Sequence, residues 1–121
     1  DRGRLSRIDP RQRRASARNI DTILLAPGKE TDSLEHLKGR CDLVLVDAPC
    51  SGTGTWRRNP ELRWRMTPKR LEHTTELQQR LIDLGSEMFK PGGRLVYAVC
   101  SLLDAEGGDQ AEKFLERHTG W

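Results

Sequence analysis

The chain has 121 residues and a mass of 13.8 kDa, the size of one domain at most. At 35% hydrophobic and 32% charged residues it is poorer in apolar and richer in charged side chains than an average globular domain, with no apolar run of the ~18 residues a membrane span needs and no apolar stretch after its Arg-rich N-terminus that would make a secretory signal. Three cysteines at no zinc-like spacing argue against a disulfide scaffold and a structural zinc, so no metal and no membrane partner are expected, and the thiols fit a reducing, cytoplasmic setting.

Taken in chain order, Gly3 to Ile8 is a short strand candidate ending at Asp9. Asp9-Pro10 reads as a helix start, with Asp as N-cap and Pro at the first helical position, and that helix runs to about Asn19. Thr22 to Ala26 reads as a strand closed by Pro27-Gly28, and residues 29–40 as polar connection with one helical turn around Leu34 and Leu37. Asp42 to Val46 is the clearest strand. Its continuous run Leu43-Val44-Leu45-Val46 fits a parallel strand covered on both faces. The stretch Asp47 to Gly54 must then be a loop, and a long connection leads to Thr67-Pro68, the start of a helix by the same capping logic. Leu77, Leu81, Leu84 and Met88 fall on one stripe of that helix and are expected to face the core. Lys90-Pro91-Gly92-Gly93 ends it, Leu95 to Val99 is a second buried strand running into Cys100-Ser101, and a last amphipathic helix carries Ala111, Phe114 and Leu115.

This alternation predicts an α/β fold with a mostly parallel sheet of about four strands and flanking helices. Ligands of such sheets bind beyond the carboxyl ends of the strands. Three chemically loaded positions fall there: Asp9, the Asp47–Gly54 loop and Cys100. Gly52-x-Gly54 lacks the third glycine of a dinucleotide loop, and no P-loop Lys-Ser or Lys-Thr is present. His36, His73 and His118 are scattered. Cys41 reads as a small core residue, whereas Cys50 and Cys100 each follow a buried strand and should share one edge of the sheet.

The charge is uneven. Residues 1–19 hold seven Arg against two Asp, and residues 57–70 hold six Lys or Arg against one Glu, so each island carries +5 within a net +3. Islands of this kind neutralise phosphates. In the second, Trp56 and Trp64 alternate with Arg57, Arg58, Arg63 and Arg65, a mixture that suits unstacked bases beside a phosphate backbone. The competing expectation is that the tryptophans pack on their own domain under Arg stems.

Asp47-Ala48-Pro49-Cys50-Ser51-Gly52-Thr53-Gly54, followed by Arg58-Asn59-Pro60-Glu61 and Trp64, resembles the signature of the RNA cytosine-5 methyltransferases, in particular the bacterial small-subunit rRNA enzymes of the Sun/Fmu type. Tyr97-Ala98-Val99-Cys100-Ser101 resembles the second cysteine motif of that family. The resemblance runs from about Gly3 to Leu115. It implies a partial Rossmann-like methyltransferase fold, S-adenosyl-L-methionine as cofactor and small-subunit rRNA as partner. It also implies roles. The cysteine matching Cys100 is the nucleophile that adds to carbon 6 of cytosine, the one matching Cys50 resolves the adduct, and the aspartate matching Asp47 binds the base edge. Asp9, Asp47 and Pro49 are implied in cofactor binding, and Arg57, Arg58, Arg63, Trp64 and Arg65 are the candidate RNA contacts.

Two departures stand out. The family's glycine-rich cofactor loop and its first strand have no counterpart before Asp9, so residues 1–121 are expected to be the C-terminal part of a catalytic domain truncated at both ends. The exposed sheet edge that this leaves invites self-association. Val99 stands where the family usually has Thr, and Glu106-Gly107-Gly108 where it usually has Glu-Asn. Two further functions remain open: a DNA-type cytosine-5 methyltransferase using Cys50 as nucleophile, and a non-catalytic RNA-binding module resting on the basic islands alone. A redox role is disfavoured by the lack of Cys-x-x-Cys.

Overall fold

A computed structural model describes residues 2–121, which divide into two compact units, one ending at His36 and the other Leu37–Trp121. The first holds three short helices, α1 (Arg2–Leu5), α2 (Ile8–Arg14) and α3 (Glu30–Leu34). Two expectations fail here. Gly3 to Ile8 is not a strand, and Thr22 to Ala26 has no regular structure. A strand needs a neighbour for its N–H and C=O groups, and none pairs with either segment among the described residues. Leu5, Ile8 and Leu25 instead line a shared groove. Asp9 is correspondingly not an N-cap: α2 begins at Ile8 with Arg7 before it, and Asp9 lies within its first turn. Proline is tolerated at the third helical position because that N–H has no partner within the helix. The helix can therefore begin two residues earlier than expected, with Asp9 near its positive end and Arg11, Arg13 and Arg14 at its negative end.

The second unit is a strand–helix–strand–helix layer. Strand β1 (Cys41–Asp47) and strand β2 (Phe89–Ala98) pair in parallel. Helix α4 (Pro68–Ser86) connects them, and α5 (Gly108–Arg117) follows β2. The sheet has two strands among the described residues, not four. The start of α4 is as the sequence predicts: Thr67 Oγ1 accepts from the N–H of Arg70 at 3.2 Å, and Pro68 occupies the first turn. Its buried stripe is rotated by one residue from the expected one. Gln78, Ile82 and Gly85 are buried, while Leu77, Leu81 and Leu84 are half-buried; Met88, just past the helix, is buried as expected. Gly85 explains the rotation. A Cβ there would lie 2.8 Å from Val46 Cγ2 and 3.2 Å from Leu95 Cδ1, so the helix seats its backbone directly on the sheet at the one position that has no side chain.

On the face of β1 towards α4, Val44 and Val46 are half-buried; on the opposite face Leu43 and Leu45 remain 56% and 59% exposed. The apolar run is thus covered on one face only among the described residues. Lys90-Pro91-Gly92-Gly93 lies within β2 rather than before it, as an irregularity: Cys41 pairs with Phe89 but Leu43 with Arg94. Gly92 takes φ +79° to make this excursion, and Lys90 reaches across it to pair with Asp42. α5 packs through Phe114, whose ring lies 4.3 Å from that of His118 and 4.7 Å from that of Trp121. Arg117 and His118 both contact Asp83 of α4. Leu115, expected inward, is half exposed.

Candidate active site

The β1–β2 register decides what meets at the carboxyl edge of the sheet. Asp47 pairs with Ala98, so Cys50 and Cys100 leave their strands two or three residues later and side by side. The Ala48 N–H donates to Ala98 O at 3.0 Å, and the Gly54 N–H to Cys100 O at 3.1 Å. The sulfurs of Cys50 and Cys100 lie 3.2 Å apart. Cys100 is exposed, Cys50 is half-buried and neither is in a disulfide. Burial, then the hydrogen bond with Cys100, pushes the Cys50 thiol above its ordinary pKa. Cys50 is therefore a thiol at neutral pH, able to donate to the sulfur of Cys100. Asp47 is exposed at the end of β1, with no side-chain hydrogen bond among the described residues.

The glycines of this loop serve the chain itself. Gly52 adopts φ +70°, and a Cβ there would lie 3.1 Å from Leu62. A Cβ on Gly54 would lie 3.1 Å from the carbonyl oxygen of Cys100. The smallness of Gly54 lets the two cysteine loops close on one another, and that of Gly52 admits Leu62, where the sequence predicts close approach to a ligand.

Beneath the sulfurs is a polar cluster that the sequence does not announce. Glu106 and Gln78 are both 0% exposed. Glu106 Oε1 accepts from the Ser51 N–H at 2.8 Å and from Gln78 Nε2 at 3.1 Å. Its Oε2 accepts from Ser101 Oγ at 2.6 Å and from Ser51 Oγ. Gln78 Nε2 also donates to Pro49 O at 2.9 Å, which leaves Gln78 Oε1 without a partner among the described residues. Thr53 Oγ1 accepts from the Leu102 N–H at 2.7 Å and lies 3.1 Å from Ser101 Oγ. The Tyr97 hydroxyl donates to the backbone carbonyl of Glu106 at 2.7 Å. Burial, then the nearby charge of Glu106 and, at the alkaline pH where it ionises, that of Cys50, pushes Tyr97 to about 12, so it stays a donor. Burial alone would raise the Glu106 carboxyl; the hydrogen bonds from Ser101, Ser51 and Gln78 outweigh it and hold Glu106 below its usual 4.5.

That direction has a consequence for stability. A carboxylate with a lowered folded-state pKa stabilises the fold above its unfolded value and loses that contribution as the pH falls through the folded value. The denaturant midpoint of the wild-type protein is therefore expected to fall between pH 5 and 3 more steeply than that of Glu106→Gln, as measured by urea unfolding across about that range. Parallel slopes would contradict it.

The basic island borders this site. Leu62, in the 3-10 turn Pro60–Arg65, packs on Gly52. Arg65 and Arg70 share a small cleft with Ser51. Trp64 is 83% exposed, with the Arg63 guanidinium 5.8 Å from its ring centre, so it does not pack on its own domain. Arg57, Arg58, Arg63 and Arg65 are exposed as well, whereas Trp56 is half-buried. Asp9 is exposed on α2 of the N-terminal unit, not at a strand end, which removes the positional ground for assigning it to cofactor. Among the described residues, no group of three or more His, Cys, Asp or Glu could hold a metal, and no helix is long and apolar enough to cross a membrane.

Of the residues that sequence reasoning passed over, Ser51 and Ser101 carried a signal. The dipeptide Cys-Ser follows both strands, and both serines donate to the same buried carboxylate, that of Glu106. Gln78 is displaced by one residue from the expected stripe. Glu106 is noted in the sequence only as standing where the family usually has Glu-Asn, in a polar segment where nothing local marks it as buried.

A parallel strand–helix–strand layer with its reactive side chains beyond the carboxyl ends of the strands is part of a Rossmann-like methyltransferase fold. It aligns with the crystal structure of PH0851 at a TM-score of 0.86 and 31% identity, over 98% of this chain and 26% of that one. The family described as 16S rRNA methyltransferase RsmB/F matches residues 1–121, and the chain belongs to that family. Among its relatives, the ribosomal RNA small subunit methyltransferase B of Thermus thermophilus is 38% identical over 112 residues, which is 92% of this chain and 28% of that protein. The probable ribosomal RNA small subunit methyltransferase B of Synechocystis is 48% identical over 80 residues, 66% of this chain and 18% of that protein. The chain thus spans between about a fifth and about a quarter of the length of these proteins.

Proposed function

We propose that the protein methylates carbon 5 of a cytidine in small-subunit rRNA through a covalent adduct with Cys100, and that residues 1–121 supply the C-terminal part of its catalytic domain. The observation that carries this is the pair of sulfurs 3.2 Å apart at the carboxyl edge of the sheet, beside the uncommitted carboxylate of Asp47. Carbon 5 of cytosine is a poor nucleophile. Addition of the Cys100 thiolate to carbon 6 turns the ring into an enamine and makes carbon 5 electron-rich, one hard step divided into easier ones. Asp47 hydrogen-bonds the N3/N4 edge of the base and stabilises the charge that develops there. Once carbon 5 carries the methyl group, its proton passes to water as the Cys100–carbon 6 bond breaks and the aromatic ring is restored, and the Cys50 thiol, 3.2 Å away, protonates the departing Cys100 thiolate and regains its proton from solvent. The raised pKa of Cys50 supports its role in release, because a thiol kept protonated can donate a proton but is a weak nucleophile.

The exposed carboxylate of Asp47 and the adjacent Pro49, at the strand end where such sheets take ligands, fit a polar cofactor and would hold S-adenosylmethionine, which supplies the methyl group when bound. Incubation of the full-length protein with labelled cofactor and unmodified 16S rRNA, followed by nucleoside analysis, tests the proposal. Label is expected in 5-methylcytidine; label in another nucleoside, or none at all, would count against it.

RNA is held by the island Arg57, Arg58, Arg63, Trp64 and Arg65, where an exposed indole among guanidiniums offers a stacking face beside phosphate-binding charge. Trp64→Ala is expected to weaken RNA binding by about 1–3 kcal/mol with no change in thermal midpoint, measured by filter binding and calorimetry. Unchanged affinity would remove Trp64 from the interface. The non-catalytic alternative predicts salt-sensitive RNA binding that survives Cys50→Ala together with Cys100→Ala, without methyl transfer by the unmutated protein.

A further inference from the structure

We propose that Glu106 is a positioning residue for this chemistry: its buried carboxylate ties the Cys50 loop to the Cys100 loop and sets the separation of the two sulfurs. The function assigned to Glu106 rests on the covalent mechanism proposed above, but the geometry does not. Beyond Ala98 the parallel ladder ends, and among the described residues the loops are then joined by the Gly54 N–H to Cys100 O, by Thr53 Oγ1 with the Leu102 N–H and Ser101 Oγ, and by Glu106. Glu106 alone reaches the residue next to each cysteine through charge-assisted bonds. It takes hydrogen bonds from Ser51, immediately after Cys50, from Ser101, immediately after Cys100, and from Gln78 of α4, which also holds Pro49 O. Three separate segments of chain converge on one side chain that touches neither sulfur.

Burying a carboxylate is a poor route to stability when an apolar residue of the same size could fill the space. What a fully hydrogen-bonded carboxylate supplies is a fixed geometry, since each of its four donors restrains a loop in distance and direction. The repeated Cys-Ser pairs follow from this: each serine is the handle by which Glu106 holds the preceding cysteine.

The test uses the full-length protein and diamide, which takes the two thiol hydrogens to form a disulfide and is itself reduced to the hydrazine. The rate of Cys50–Cys100 disulfide formation, read by peptide mapping, reports the proximity of the thiols whether or not methylation is covalent. Glu106→Ala is expected to slow this trapping and to lower kcat, each by about 100-fold, while KM for RNA stays constant. Glu106→Gln is expected to recover both to within about tenfold, because its carboxamide oxygen still accepts from Ser51 N–H and Gln78 while its NH2 donates to the two hydroxyls, which can turn to accept. If Glu106→Ala does not fold, Ser51→Ala combined with Ser101→Ala takes its place, with trapping slowed by about tenfold or more. Trapping at the wild-type rate in any of the folded alanine variants overturns the proposal. Methyl transfer retained by Cys100→Ala would end the covalent mechanism but leave the trapping result standing, so the two failures are separable.

Discussion

Cys100→Ala is expected to reduce methyl transfer by at least about 10⁴-fold while leaving the fold and RNA affinity intact. The residue is exposed, and among the described residues the polar partner given for its Sγ is the sulfur of Cys50. Its removal opens no buried cavity and leaves no buried polar group unsatisfied, so it falls outside the mechanisms that destabilise proteins strongly. The chemical loss is large because, without addition at carbon 6, carbon 5 has no enamine to draw on. Cys50→Ala has the opposite signature. It leaves the nucleophile in place and removes the thiol beside it, so the adduct forms and is not released, and protein is expected to accumulate on RNA under denaturing conditions. Radiolabel transfer and a denaturing gel, run on both variants beside calorimetry, check the pair. Substantial turnover by Cys100→Ala would exclude its role as nucleophile.

Gly85→Leu is expected to destabilise the fold by about 1–3 kcal/mol, although it replaces the second-worst helix former with one of the best. Helix propensity alone would favour the substitution by about 1 kcal/mol. Packing decides otherwise. The first added atom would sit 2.8 Å from Val46 Cγ2 and 3.2 Å from Leu95 Cδ1. Val46 is a stiff β-branched side chain on a strand, so α4 must move off the sheet. Gln78 lies two turns back on the same buried face, hydrogen-bonded to Pro49 and Glu106, and Val46 directly precedes Asp47. The displacement therefore reaches the cysteine loops, and activity should fall with stability. Urea unfolding and methyl-transfer rates on one preparation measure both. A stabilised Gly85→Leu would contradict the close seating of α4 on β1.

The unit Leu37–Trp121 is the more legible part of the sequence. Each of its elements has a strong local signal: an unbroken aliphatic run for β1, Thr-Pro for the start of α4, a second aliphatic run for β2. Its cysteine motifs lie where strand ends put them. The N-terminal segment misleads because Gly3 to Ile8 and Thr22 to Ala26 hold enough aliphatic residues for a strand but find no ladder partner among the described residues. Asp9 stands at a strand end only if Gly3 to Ile8 forms a strand, and it does not. The α4 stripe was displaced because leucine spacing marks apolar side chains, whereas this interface is set by Gly85, an absence of side chain, and by Gln78, a polar residue buried through its hydrogen bonds. Glu106 was illegible for a similar reason. Its burial depends on donors that are 5, 28 and 55 residues away, and no window of sequence contains them together.

The most direct test of the central claim is to locate the protein–RNA bond. The full-length Cys50→Ala variant would be incubated with S-adenosylmethionine and unmodified 16S rRNA, digested with nuclease and trypsin, and its peptides analysed by mass spectrometry. A cytidine nucleotide on Cys100, absent when Cys100 is also replaced, is the predicted result. The contradicting results are no cross-linked peptide from that variant despite methylation by the wild type, or a cytidine on Cys50 of the wild-type protein with Cys100 unmodified.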